Sequence, residues 1–280
     1  TYPELAFAAA RTQAEKWVSE DLPTMETFYA HDRKGCLLAV SDQGADAPLP
    51  VGVCVATSYG KSGFIGELVV SPGWRGQGIG ATLLDAGVRY LHSQGVRSVY
   101  LDGEVKAVPL YERYGFRKVC RSLRLSGTCT GKQHPEVRPM QTTDLPAVFE
   151  LDRRHFGADR SFFLRRRLER FPELAKVQVQ GTEVVGYVLG RRGLDWLSAG
   201  PWVVDEANPA PYLLFESLAQ EAGGNRMMVG VLADNERAVA FFQSLGLLER
   251  PDSPWRMALG PDADLGACSF CLAIGGASKG

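Results

Sequence analysis

The sequence lacks any imbalance of charge: 31 Lys and Arg stand against 32 Asp and Glu, a net charge of -1 at pH 7. A protein that grips nucleic acid or an anionic membrane through its field needs a basic excess, so neither is expected as a partner. Long apolar runs are missing too, and the longest are far too short to cross a bilayer. No secretory leader pattern opens the chain, because Glu15, Lys16, Glu20 and Asp21 interrupt its first helical stretch. Thr1 is not a Met, which leaves residues ahead of it an open matter. Histidine is scarce, and His31, His92, His134 and His155 show no spacing suited to a metal. His155, beside Arg154, reads as an end-of-helix residue. Cys36, Cys54, Cys120, Cys129, Cys268 and Cys271 are scattered, unlike the framework of a small secreted domain. Cys268 and Cys271 form one C-x-x-C, but a structural zinc site needs four ligands and no second pair follows. They read as ordinary thiols in a tail, and a reducing cytoplasmic setting is the expectation.

What is present suits a folded protein of ordinary composition. Hydrophobic residues make up 45% of 280, enough for two domains with cores of their own. Leu5 to Ser19 reads as a helix, Cys36 to Val40 and Val51 to Ala56 as strands, and Gly44 to Pro50 as the hairpin-type loop between them. Phe64 to Val70 is a third strand, broken by Ser71-Pro-Gly73. A helix from Gly78 to Ser93 carries the apolar stripe Ile79, Leu83, Leu84, Val88 and Leu91, and Gly95 stops it. A short strand from Ser98 to Leu101, a short helix from Val108 to Tyr114 and strand from Phe116 to Leu125 complete this half. The order predicts an α/β fold, with helices on a mixed sheet that has one parallel segment.

The second half repeats the first. Gly-Glu-Leu-Val-Val70 parallels Gly-Pro-Trp-Val-Val204, and Ala107-Val-Pro-Leu-Tyr-Glu-Arg-Tyr-Gly115 parallels Ala238-Val-Ala-Phe-Phe-Gln-Ser-Leu-Gly246 at nearly the same offset. Two such anchors are the mark of a duplicated domain. The expected division is 1–126, a polar linker 127–136, and 137–280. Within the last part, helices are expected at Asp144 to Arg154, Ser161 to Phe171, Pro211 to Ala222 and Asn235 to Leu245.

The segment Val70-Ser-Pro-Gly-Trp-Arg-Gly-Gln-Gly-Ile-Gly-Ala81 carries the chemistry. A strand ends, a glycine-rich turn follows and a helix begins. Glycines allow positive φ and close backbone approach, so that several N–H groups converge. The new helix adds N–H groups without intrahelical acceptors and a positive dipole end. The result suits a pyrophosphate. No Gly-Lys-Ser/Thr follows, so it is not a P-loop, and the glycine spacing differs from the dinucleotide fingerprint.

Arg75-x-x-Gly78-x-Gly80 resembles the acetyl-CoA signature of the GNAT superfamily of N-acetyltransferases, and Leu110-Tyr111-x-x-x-Gly115-Phe116 resembles its second hallmark. The resemblance implies an acetyl-CoA-dependent N-acetyltransferase acting on a primary amine. The pyrophosphate would rest on the N–H groups of Gln77, Gly78, Ile79, Gly80 and Ala81, with Gly76 and Arg75 alongside. The pantetheine arm would run between the strand ending Leu68-Val69-Val70 and the strand Ser98 to Leu101, which splay apart in this fold. A backbone N–H near Val69 would polarise the thioester carbonyl. Asp102 and Tyr111 would border the cofactor. Glu67 is similar in position to the general base, and Tyr111 to the acid that protonates the leaving thiolate. Each also has a plainer role open to it, Glu67 as an outward strand glutamate and Tyr111 as a buried aromatic. Where family members often carry Asn this chain has Glu104, which cannot donate an amide hydrogen bond while ionised. Asp102 and Glu104 are either attractors of a cationic amine or solvated loop charges.

The second half has lost these features. Pro209 to Leu214 has no glycine cluster, Pro201 stands in the place of Glu67 and Phe242 in that of Tyr111, while Asn235 survives. This half is similar to a degenerate GNAT repeat, and the whole to the tandem-GNAT subgroup that contains holothin acyltransferases. Arg165, Arg166, Arg167 and Arg170 read as a solvated helix face, with contact to the CoA 3′-phosphate as the lesser alternative. Protein lysine or N-terminal acetylation, and non-catalytic acetyl-CoA binding, are the competing functions. The acceptor and the oligomeric state are not written in the residues.

Overall fold

A computed structural model describes residues 2–17, 21–42, 48–193, 195–262 and 265–276. Its contacts divide the chain into two compact units, each assembled from separated segments. Unit 1 takes in 1–101, 109–117 and 258–262; unit 2 takes in 102–108, 118–257 and 263–280. The expected boundary at 126 follows the sequence repeat, whereas the contact units follow an exchange of short segments between the halves.

Unit 1 opens with helices α1 (Tyr2–Ala14) and α2 (Leu22–His31). The residues between Ser19 and Cys36 carry no expected element, and α2 is an addition to the sequence expectation. Its signal is local: Asp21 caps the helix by accepting from Thr24 N–H (3.0 Å) and Thr24 Oγ (2.7 Å), and Pro23 occupies the first turn. Strands β1 (Cys36–Ser41), β2 (Leu49–Tyr59) and β3 (Ser62–Val70) form an antiparallel meander. Of the expected loop Gly44 to Pro50, residues 44–47 lie outside the described residues, and 49–50 belong to β2. Helix α3 (Ile79–Ser93) packs on β2 and β3 and buries Leu83, Leu84 and Leu91 of the expected stripe. On the other face Ala8, Ala9 and Met25 of α1 and α2 meet Val53 and Val69. This two-sided packing explains why β2 reads as an apolar run rather than an alternation. Strand β4 (Ser98–Gly103) then pairs in parallel with β3, and the short helix α4 (Val108–Arg113) follows. The 258–262 segment is tied in by Ser98 Oγ, which donates to the Asp262 carboxylate (2.9 Å), and by Arg117, which donates to the Gly260 carbonyl (2.6 Å).

Unit 2 is built on the sheet order β6-β7-β8-β9-β10-β5. These are β5 (Arg117–Gly127), β6 (Val137–Pro139), β7 (Ala175–Gln180), β8 (Glu183–Arg192), β9 (Trp196–Val204) and β10 (Arg226–Leu232). Thus β5, from the first repeat in sequence, lies antiparallel to β10 of the second, from Ser122↔Leu232 to Gly127↔Met227. Helices α5 (Leu145–Phe156) and α6 (Ser161–Arg170) cover β8, and α7 (Leu213–Gln220) packs on β7 and β8. Helix α8 (Glu236–Ser244) precedes the short strands β11 (Leu248–Glu249), β12 (Trp255–Leu259) and β13 (Cys271–Ala273). The expected linker lies on α7, where His134 Nε2 meets Glu216 Oε2 at 2.8 Å. Two expectations need correction. Arg167 is buried over the Phe163 ring, so the α6 arginines are not a uniformly solvated face. Cys271 lies in a strand of the sheet rather than in a loose tail.

Candidate active site

The parallel pairing of β3 and β4 is short. It runs from Ser62↔Ser98 to Phe64↔Tyr100 and stops, while β3 continues to Val70. The two strands therefore part, as the resemblance implied. Part of the cause lies on the other edge of β3. Its register against β2 shifts between Val53↔Val69 and Val55↔Gly66, a bulge at Glu67 and Leu68. A bulge bends its strand and increases the local twist. Glu67 sits there with φ of 52°, a left-handed conformation that costs a side-chain-bearing residue about 1–3 kcal/mol. It is 4% exposed, so it is not an outward strand glutamate. Its charge is felt by the buried Cys54, whose pKa is raised by desolvation first and by Glu67 second.

Beyond the bulge the ladder regains its alternation. Ser71 N–H donates to the Val51 carbonyl (2.8 Å), which places Val69 N–H on the β2 side and Val70 N–H on the side facing away from β2. The N–H turned into the gap near Val69 is thus that of Val70. Val70's carbonyl points the same way and accepts Arg75 Nε (2.9 Å). Arg75 also ion-pairs with Glu15, just past α1. The signature arginine is held by the ends of two elements, a role for Glu15 that no local sequence signal marks.

The turn itself is exposed, and its two left-handed residues are glycines, Gly76 at φ 77° and Gly78 at φ 83°. A Cβ at either position would meet nothing within 4 Å, so the glycines answer to backbone conformation and leave open space above. Gly78 caps α3 without a side-chain hydrogen bond. Among the described residues, no backbone N–H from Gly76 to Ala81 donates to a protein acceptor; the ladder of α3 begins with Thr82 N–H to the Gly78 carbonyl (3.0 Å). Successive donors at a helix N-terminus, in front of open space, fit an anion the size of a pyrophosphate.

Tyr111 is 8% exposed. The hallmark around it is a helix stop in which each residue has a duty. Gly115 at φ 83° donates to the Glu112 carbonyl (3.0 Å), and Phe116 N–H donates to the Tyr111 carbonyl (3.1 Å). This is the Schellman arrangement, and the Phe116 and Tyr111 rings meet edge to face at 6.1 Å as its apolar contact. Tyr111 is fixed at both backbone and ring.

Glu67, Leu68, Val69, Val70, the turn from Arg75 to Ala81, and Tyr111 all belong to unit 1. Asp102 does not. Its side chain has 0% exposure and receives Arg256 Nε (2.6 Å), Arg124 Nη2 (2.7 Å) and Ser122 Oγ (2.8 Å). Burial alone would raise its pKa, but the two guanidiniums outweigh burial and hold it below the usual carboxylate value. The Asp102 carboxylate is therefore neither a solvated loop charge nor a group within a ligand's reach. Glu104 is half-exposed and pairs with Lys106 (2.9 Å).

The second repeat has the same opening filled by the chain itself. β9 and β10 pair in parallel only from Trp196↔Arg226 to Ala199↔Val229. Beyond, β13 lies along β9: Cys271 pairs with Val203, Val204 N–H donates to the Phe270 carbonyl (3.0 Å), and Ile274 N–H donates to the Gly230 carbonyl (2.9 Å). Gly200 admits this strand, since a Cβ there would collide with the Ile274 carbonyl oxygen. Where the first repeat has its turn, the second stacks Tyr212 on Phe241 at 4.0 Å, and Trp202, Phe215 and Phe242 close the cluster. Nothing in the residue pattern of 265–276 announced that role.

A strand parted from its parallel neighbour, with a donor-rich glycine turn at its end, is the arrangement that the resemblance implied for an acyl-CoA ligand. The family model of the acetyltransferase (GNAT) family matches residues 4–116, and that of an acetyltransferase (GNAT) domain matches residues 148–265. The chain belongs to the GNAT acetyltransferases, an enzyme class, and carries two such domains in tandem. It is 40% identical over 63 residues to a glucosamine 6-phosphate N-acetyltransferase of Trypanosoma brucei brucei, a match covering 22% of this chain and 43% of that one. It is 27% identical over 218 residues to a holothin acyltransferase of Pseudoalteromonas sp. (strain SANK 73390), covering 77% of this chain and 71% of the relative. Among solved structures, a candidate acetyltransferase from Pyrococcus horikoshii shares the fold with a TM-score of 0.76 at 22% identity, over 92% of this chain and 85% of that one. Among the described residues, no helix is long and apolar enough to cross a membrane, and no cluster of three His, Cys, Asp or Glu could hold a metal ion.

Proposed function

We propose that the chain transfers an acetyl group from acetyl-CoA to the primary amine of a small molecule, in the cytoplasm, with neither nucleic acid nor membrane as partner. The observation that carries this reading is the run of backbone donors from Gly76 to Ala81 at the mouth of the parted strands. A diphosphate fits there, and the gap between β3 and β4 gives an extended arm a course along the edge of β3. Bound acetyl-CoA supplies the acyl thioester. Val70 N–H faces the gap and would receive the carbonyl oxygen as charge develops on it. Glu67 is buried on the bulge beside that edge and would take the proton of the attacking amine, directly or through water. Tyr111 would hand its phenolic proton to the departing sulfur. Arg75, fixed by Val70 and Glu15, would add positive charge beside the diphosphate.

The amine acceptor is supported by the family and by one relative, the glucosamine 6-phosphate N-acetyltransferase, whose acceptor is an amino sugar phosphate. The test is a panel of primary amines, peptides included, incubated with acetyl-CoA while free thiol is read. Turnover of small amines in preference to peptides is expected; turnover of peptides alone would replace the acceptor class, and no turnover with retained CoA binding would make the protein a binding module.

A further inference from the structure

The most chemically distinctive group outside the acyl-transfer site is the Cys268–Cys271 pair at the head of β13. Cys271 N–H donates to the Cys268 carbonyl at 3.0 Å, an i to i+3 bond. Such a turn brings its end Cα atoms within about 7 Å. A disulfide spans Cα separations of about 4.4–6.8 Å. The two sulfurs are unequally placed. Cys268 is half-exposed, while Cys271 is buried. Around Cys268 Sγ stand the Phe270 N–H at 3.4 Å and His155 Nδ1 at 3.6 Å, on the last turn of α5. The His155 ring is itself set against Phe270, at 5.0 Å. Arg160 and Asp152 flank Cys271.

We propose that Cys268 and Cys271 form a redox-active dithiol that exchanges with low-molecular-weight disulfides such as oxidised glutathione. Cys268 is the attacking sulfur. Its thiolate is favoured first by a hydrogen bond from the Cys271 thiol, then by Phe270 N–H and His155, which together outweigh its partial burial and lower its pKa to about 5. Thiolates are the nucleophiles in disulfide exchange. Among the other cysteines, desolvation pushes the half-exposed Cys36 up to about 12, and Cys54, Cys120 and Cys129 are buried and likewise raised. In the first step Cys268 thiolate attacks one sulfur of the glutathione disulfide; a Cys268–glutathione bond forms and a glutathione thiolate leaves. In the second, the Cys271 sulfur attacks that of Cys268, its proton goes to the second departing glutathione, and the Cys268–Cys271 bond remains. Two protein thiols are oxidised and one glutathione disulfide is reduced to two thiols.

The experiment treats the full chain with oxidised glutathione, traps remaining thiols by alkylation, and maps the peptides by mass. The expected product is a 268–271 peptide lighter by two hydrogens. Cys271→Ser should halt at a glutathione adduct on Cys268, and Cys268→Ser should give neither product. The unmodified chain supplies a control free of any folding defect: at mildly acidic pH, Cys268 should be alkylated at least ~10-fold faster than Cys36. Equal rates for these two cysteines, or a glutathione adduct on Cys271 that forms as readily in Cys268→Ser as the Cys268 adduct does in Cys271→Ser, would overturn the proposal.

Discussion

Phe242 fills in the second repeat the place that Tyr111 fills in the first. Each accepts, at its carbonyl, the N–H five residues on: Phe116 to Tyr111 at 3.1 Å and Leu247 to Phe242 at 3.1 Å. Each helix closes on a left-handed glycine, Gly115 at φ 83° and Gly246 at φ 79°. The backbone device is common to both repeats and only the hydroxyl distinguishes them. The motif is therefore structural in both repeats, and the phenol is the part to which the proposed mechanism gives a role.

Replacing Tyr111 by Phe should accordingly leave the fold alone, since the second repeat already tolerates Phe at this place. Turnover should fall by ~10²–10⁴-fold, the range of a positioned acid, with acetyl-CoA affinity little changed. Glu67→Gln should lower turnover likewise. Steady-state kinetics and a binding titration on the same preparations check this; if neither variant changes turnover by ~10-fold, positioning alone accounts for the rate.

Asp102 should matter to stability rather than to binding. Asp102→Asn leaves Arg256 and Arg124 with an uncompensated buried charge and should cost about 3–5 kcal/mol, read from urea unfolding. The sign of the pH effect follows from the lowered pKa. The stabilisation from Asp102 is in full force above the unfolded value of about 3.9 and is lost as pH falls through the lower folded value. Wild-type stability should thus decline below about pH 4, and the variant should show less of that decline.

β13 should behave as a structural part of unit 2. Ile274 is buried, and Ile274→Ala should cost about 2–5 kcal/mol through the cavity it leaves. Stability should fall in urea unfolding while CoA stoichiometry stays at one per chain. A second site appearing in this variant would mean that the strand blocks a competent cleft instead of completing a lost one.

Much of the first repeat was legible because its signals are local. The glycine turn, the helix stop after Tyr111 and the stripe of α3 are each settled within a few residues. Helix α2 was local too, but its cap at Asp21 and Pro23 was passed over among polar residues. The remainder was not local. The bulge that buries Glu67 shows only in register, and the duty of Asp102 depends on Arg256, far along the chain. The exchange of 258–262 into unit 1, and the filling of the second cleft by 271–274, join segments whose composition says nothing of their partners.

The central claim is that acetyl-CoA is held by the first repeat alone, on the turn from Arg75 to Ala81. Calorimetric titration of CoA into the wild type and Gly78→Asp tests it most directly, with Gly78→Asn as the uncharged control. Both replacements belong to the few side chains that visit the left-handed conformation Gly78 adopts, so the fold should hold. The wild type should bind one CoA per chain. Gly78→Asp should abolish binding, because its carboxylate stands where the diphosphate would lie, and Gly78→Asn should weaken it less. Two equivalent sites in the wild type, or unchanged affinity in Gly78→Asp, would contradict the account.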